Sequence, residues 1–251
     1  MLVEAEWNTI NNILLDLYTI NDIEKFSIKI MRVIRMLISY TKGSLIMLDD
    51  DRNVIEHQSF FAEFDEKSQR DYLRKYYDED YIKYLLDITN ETCVFRDTNI
   101  LEDSIRTNTV FFKDFLKPTD IFYGCGTIIA NNGRIIAVLS LFRNEKAGDF
   151  TDKELYILNI LKKHIENILY NVTQLSRGTV YMKKALNTFS DQYNLTEREK
   201  EVLGLINKGY SNQEIADGLV ISLSTVKKHI YNLFEKTKVS NRSQLIMLLL
   251  N

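Results

Sequence analysis

Apolar positions recur at helical spacing at both ends of this chain and at strand spacing in between. Trp7, Ile10, Ile13, Leu14 and Leu17 form the stripe of a helix over residues 4–18. Asn21 or Asp22 can cap a second helix reaching about Ser39, with Phe26, Ile30, Val33, Ile34 and Leu37 on one side. Ser44–Leu48 and Val54–Phe61 read as two strands around the polar turn Asp49–Asn53. Ile121–Ala130 and Arg134–Phe142 read as a second hairpin, with Asn131-Asn-Gly133 supplying the turn. Thr151 and Glu154 then form a capping box for a helix with Leu155, Leu158, Leu161, Ile165 and Ile168 as its stripe. Residues 151–188 read as one long helix or as two broken at Gly178, with a hinge at Ser190–Tyr193. A helical and irregular insert lies between the two hairpins. This order predicts an α+β sandwich: an antiparallel sheet with flanking helices.

The last quarter of the chain carries only helix signals. Thr196 with Glu199 and Ser211 with Glu214 are capping boxes, Gly209 is a C-terminal cap, and Ser222 and Asn241 can start further helices. Four helices follow, at about 196–208, 211–219, 222–237 and 241–250. In the third, Val226, Ile230 and Leu233 share one face, while Ser224, Lys227, Lys228 and Tyr231 fall on the other. Two short helices joined by a tight turn, the second with a basic outer face, make a helix-turn-helix.

The segments Leu195-Thr-Glu-Arg-Glu-Lys-Glu-Val-Leu203, Gly209-Tyr-Ser-Asn-Gln-Glu-Ile-Ala216, Ile221-Ser-Leu-Ser-Thr-Val-Lys-Lys-His229 and Asn241-Arg242 occur in that order. Together they closely resemble the LuxR-type (GerE/NarL-like) DNA-binding domain, over about a quarter of the chain. The resemblance implies a small all-α four-helix module whose third helix enters the major groove and whose fourth often dimerises. Carried onto this sequence, it makes Lys227, Lys228 and Tyr231 the groove-facing residues; lysine can donate to guanine O6 and N7. Asn212, Ser222, Ser224, Thr225 and Arg242 sit at or near helix starts, where N–H groups and hydroxyls suit phosphate oxygens. Ser222, Ser224 and Thr225 can equally serve as caps alone.

Upstream, Cys93-Val-Phe-Arg-Asp97, the final hairpin and Phe150-Thr-Asp-Lys-Glu-Leu155 resemble a GAF/PAS-like sensor domain over about residues 20–170. That resemblance implies signal sensing between the sheet and the insert, and pairing through flanking helices. Residues 60–123 hold 14 of the 28 aromatic side chains, which suits either an apolar pocket or a core. Tyr76, Tyr81 and Phe115 are the candidate stacking residues and Asp80 the candidate polar anchor of a small-molecule effector. Tyr72, Tyr76 and Asp80 are spaced like the ligand-binding Tyr and Asp of acyl-homoserine-lactone receptors. The tryptophans expected with them are absent, because Trp7 is the single tryptophan and lies far upstream.

Charge sharpens the picture locally. The net charge is −3, yet residues 221–242 carry five basic side chains against Glu235 alone. A basic face on a neutral module favours salt-sensitive DNA binding over indiscriminate coating of nucleic acid. Cys93 and Cys125 suit a reducing cytoplasm, and the three histidines show no ligand spacing, so no metal or cofactor is expected. The start Met1–Trp7 has no basic region before an apolar core, so no signal peptide is expected, and no apolar run nears membrane-span length. No nucleophile–base pair marks a catalytic site. The expected organisation is a sensing and dimerisation domain at 1–170, a connecting helix or linker at 171–193, and the DNA-binding domain at 194–251. The expected protein is a cytoplasmic, homodimeric transcription regulator that reads an inverted repeat in double-stranded DNA, with RNA polymerase a further candidate partner. The alternatives are an N-terminal domain that only dimerises or binds a protein, and an enzyme domain fused to a DNA-binding module.

Overall fold

A computed structural model describes residues 2–250, with the side chains of 176–184 and 250 outside the description. The chain divides into two units, Met1–Leu175 and Ser176–Asn251.

In the first unit, α1 (Glu4–Leu17) buries Ile10, Ile13 and Leu17. The Asp22 carboxylate accepts from the Lys25 N–H and caps α2 (Ile23–Ile34), which ends short of the expected Ser39. Strand β1 (Lys42–Met47) follows. The strand expected over Val54–Phe61 is largely absent. A single bridge pairs Leu48 with Val54, Glu56–Gln58 form a 3-10 turn, and β2 spans only Phe60–Ala62. The cause is Ser59: its hydroxyl accepts from the Met47 N–H at 3.0 Å and donates to Ile55 O at 3.0 Å, replacing ladder bonds with a local turn.

The insert is more helical than its pattern showed, and a strand divides it. Helix α3 (Glu66–Asp71) runs into a π-helical turn at Tyr72–Tyr76, and α4 (Ile82–Ile88) follows. Next come β3 (Cys93–Arg96), α5 (Asp97–Ile100), α6 (Asp103–Arg106) and a second π-helical turn at Phe112–Leu116. Strands β4 (Tyr123–Asn131) and β5 (Arg134–Arg143) form the expected hairpin. Its two-residue turn holds Asn132 at φ 51° and Gly133 at φ 76°, which fixes the Asn131–Arg134 register.

All pairings are antiparallel, in the order β2-β1-β5-β4-β3. This is the α+β arrangement expected. One sheet face, with Leu45, Met47, Cys125, Leu139 and Leu141, packs on α1, α2 and α7 (Asp152–Gln192). The other face, with Ile46, Ile128 and Val138, packs on the insert. Thr151 and Glu154 close the expected capping box at the start of α7. Cys93 packs on the insert side and Cys125 on the helix side, so the sheet itself separates the two thiols.

In the second unit, residues 190–192, expected as a hinge, are the last turn of α7. Phe189 is buried there, its ring 4.6 Å from that of Tyr193 and tilted 44° to it. Helices α8 (Glu197–Asn207), α9 (Asn212–Leu219), α10 (Leu223–Thr237) and α11 (Arg242–Leu250) match the four expected. Val202, Leu203, Ile206, Ile215, Val226, Leu233, Leu245 and Leu249 form their common core.

Candidate functional site

The caps of the second unit hold α10 outward. Thr196 and Glu199 exchange hydrogen bonds at 2.9 and 3.3 Å, and Ser211 and Glu214 at 2.7 and 3.3 Å. Each box satisfies two N–H groups that a helix start leaves unpaired. Between α9 and α10 the chain turns through Val220, at φ 54° and ψ 49°, and Ile221 N–H returns to Ala216 O. Ser222 then caps α10, accepting from Thr225 N–H at 3.1 Å.

On α10, Val226, Leu233 and Thr237 are buried, so the opposite side must face away from the core. Ser224, Lys227, Lys228 and Tyr231 are all exposed on it. The Ser222 hydroxyl lies 2.8 Å from that of Ser224 and 2.7 Å from that of Thr225. Three hydroxyls and the free N–H groups of the first turn therefore converge at the positive end of the helix. Asn212 stands at the start of α9 and is half-buried. Arg242 starts α11, but its guanidinium donates to Ile206 O at 3.1 Å and Tyr210 O at 2.5 Å. It closes the C-terminal end of α8, where Gly209 takes φ 85°. Sequence reasoning missed that bond because it joins residues more than thirty positions apart.

Lys236 was not singled out from sequence either. Its ammonium donates to Glu199 Oε2 at 2.7 Å and to Asn194 O at 2.8 Å. Burial raises the Glu199 carboxyl, but the Lys236 and Thr196 bonds outweigh it and hold the group below its usual range.

In the first unit, three of the four candidate ligand residues gather in one aromatic cluster. Phe115 lies 5.1 Å from Tyr76 and 5.6 Å from Phe111, and Phe111 lies 5.6 Å from Tyr81. Asp80 accepts from Tyr72 OH at 2.9 Å and from Ile82 N–H, at the start of α4, at 2.9 Å. A cavity of about 410 Å³ opens beside this cluster, lined by Arg52, Tyr77, Asp78, Lys83 and Asp87 among others, and none of Tyr76, Asp80, Tyr81 and Phe115 lines it.

Two buried polar residues of this region, Asp97 and Arg106, were not singled out as site residues from sequence. Tyr81 OH donates to the buried Asp97 at 2.7 Å. Arg106 is fully buried among Phe112, Phe122 and Tyr123, and donates to Asp103 and Phe122 O. Burial pushes Asp97 up to about 6, and burial together with the Asp97 charge pushes Asp80 up to about 7. The sequence signal was Gly124-Cys-Gly126, two glycines on one side of a strand. A Cβ at Gly124 would stand 2.3 Å from Asp97 Oδ2, and one at Gly126 would stand 2.0 Å from Leu139 O. On the central strands, Ser44 and Ser140 pair across β1 and β5 and are buried against the insert side.

Residues 193–249 match the family of bacterial regulatory proteins described as the luxR family. The chain is 31% identical over 139 residues to the monoamine regulon transcriptional regulator of Klebsiella aerogenes, an alignment covering 55% of each chain. It thus spans about half the length of that relative. Among solved structures, it resembles the VqsR LBD domain of Pseudomonas aeruginosa with a TM-score of 0.53 and 11% identity, over 69% of this chain and 99% of that one. It also resembles SdiA in complex with octanoyl-rac-glycerol with a TM-score of 0.50 and 18% identity, over 98% and 95%. At these identities the two structures speak for the fold alone. The four helices fall within the matched stretch but for the last residue of α11, so residues 193–249 carry the helix-turn-helix domain of the luxR family of bacterial regulatory proteins.

Proposed function

We propose that this chain is a transcription regulator whose C-terminal module reads double-stranded DNA and whose N-terminal domain governs that reading. One observation carries the proposal: α10 turns Lys227, Lys228 and Tyr231 outward together, behind a buried face that fixes their direction. In this reading the three residues meet base edges in the major groove. Ser222, Ser224 and Thr225, with Asn212 at the start of α9, meet phosphates, and Arg242 joins them through the N–H groups that its bonds to Ile206 O and Tyr210 O leave over. Two copies pair on an inverted repeat with half-sites about one helical turn, roughly 10 base pairs, apart. The apolar run of α11, which keeps Met247 65% exposed, supports such pairing. We assign residues 1–170 to sensing and dimerisation, 171–193 to connection and 194–251 to DNA. Among the described residues no helix is long and apolar enough to cross a membrane. The reading places the regulator in the cytoplasm, in reach of RNA polymerase, and gives it no catalytic step. Mapping of its binding sites across a genome tests this. A shared inverted repeat under the occupied sites is expected, and occupancy without any common sequence contradicts it.

For the signal, we place an effector site between the insert and the sheet, near Tyr76, Asp80, Tyr81 and Phe115. The desolvated Asp80 and Asp97 and the two π-helical turns support it, since such turns recur at functional sites. The contacts among Tyr76, Phe111 and Phe115 favour the second reading, in which the aromatics are core and the domain receives a protein signal. A compound that co-purifies with the chain and raises its melting temperature would decide for the first.

A further inference from the structure

The exposed face of α10 is not uniformly polar. Measured from the buried Val226, at 100° per residue, Ser224 lies about 160° around the helix, Tyr231 about 140°, Lys227 about 100° and Lys228 about 200°. Tyr231 therefore stands near the middle of the outward face, between the two lysines and one turn further along. It is 63% exposed, and no ring contact or hydrogen bond holds it among the described residues. A ring left this free gains by being covered, and a helix facing the major groove offers it one apolar group. That group is the thymine C5-methyl, which lies beside the polar base edges. Lysine cannot use it, since the ammonium seeks guanine acceptors or phosphates.

We propose that Tyr231 is a specificity-determining residue that recognises a thymine through its C5-methyl group, next to the bases or phosphates met by Lys227 and Lys228. The inference rests on the reading of this module as a DNA reader. It adds a required thymine at a fixed place in each half-site. Specificity there comes from ring-to-methyl contact, and the phenolic hydroxyl is dispensable.

The test uses the full chain. Duplexes are selected from a random pool, and each thymine common to the selected half-sites is replaced by uracil, which removes only the methyl group. At one symmetric pair of positions the exchange should weaken wild-type binding about fourfold per half-site, the value of one buried methyl-sized group. Tyr231→Phe should keep that dependence, and Tyr231→Ala should abolish it. If the pool yields no preferred duplex, the DNA-reading proposal itself fails and this inference with it. If a preferred duplex emerges but uracil exchange acts equally on wild type and Tyr231→Ala, the inference alone is overturned. It is also overturned if Tyr231→Phe binds as weakly as Tyr231→Ala and neither senses the methyl, for then the hydroxyl meets a phosphate.

Discussion

Lys236 Nζ lies 2.7 Å from Glu199 Oε2, and this ion pair fastens α10 to α8. Glu199 is 3% exposed and also closes the Thr196 box, so one carboxylate serves two contacts. Lys236→Met leaves that carboxylate buried without its cation. The expected loss is about 1–3 kcal/mol of stability in the C-terminal unit, toward the lower end because Lys236 is partly solvated. Calorimetry of the full chain measures it. Lys236 lies away from the outward face, so the variant should keep its preferred sequence below its melting transition. An unchanged transition would show that the pair contributes nothing.

Val220 carries the opposite expectation. It is a β-branched residue at φ 54°, and 89% of it is exposed. The left-handed conformation costs an L-residue about 1–2 kcal/mol, and here no burial offsets it. Asparagine tolerates this conformation and adds less chain entropy on unfolding than glycine does. Val220→Asn should therefore stabilise the unit by about 1 kcal/mol. A lower unfolding midpoint in urea for this variant would show that the valine side chain makes a contact that matters.

The N-terminal domain should firm up on mild acidification. Asp80 titrates at about 7 and Asp97 at about 6 in the fold, against about 3.9 in an unfolded chain. Their charged forms are penalised by folding, so stability falls as pH rises through the folded values and is recovered on the way down. Carboxylates held low, such as Glu154 and Glu199, stay ionised above pH 5 and do not oppose this trend in that range. Between pH 8 and pH 5 the melting temperature of this domain should rise by a few °C. Asp80→Asn and Asp97→Asn should each flatten the slope. A flat wild-type profile would place both carboxyls in solvent, and a slope of the other sign would contradict the burial that raises them.

What was legible in the sequence was local. The Thr196, Ser211, Ser222 and Thr151 caps each bond a neighbour three residues away, and each helix begins where its cap predicts. The Asn132-Gly133 turn set the β4–β5 register for the same reason. Val54–Phe61 misled because alternation cannot see that Ser59 would take the Met47 N–H for itself. The polar core of the insert was invisible for a deeper reason. Asp97, Tyr81 and Arg106 become buried only when β3, α4 and α6 fold against β4, and no spacing along the chain encodes that meeting. Arg242 and Lys236 were likewise set by partners 32 to 42 residues away.

Base reading by α10 is tested most sharply by comparing affinities on two kinds of duplex. Full-length wild type, Lys227→Ala and Lys228→Ala are titrated against the selected sequence and against scrambled DNA at one salt concentration. At least one lysine should lose about 1–3 kcal/mol, roughly 5- to 150-fold, on the selected sequence and much less on the scrambled one. Equal loss on both would reassign both lysines to phosphates, and no loss on either would contradict the placement of this helix in the groove.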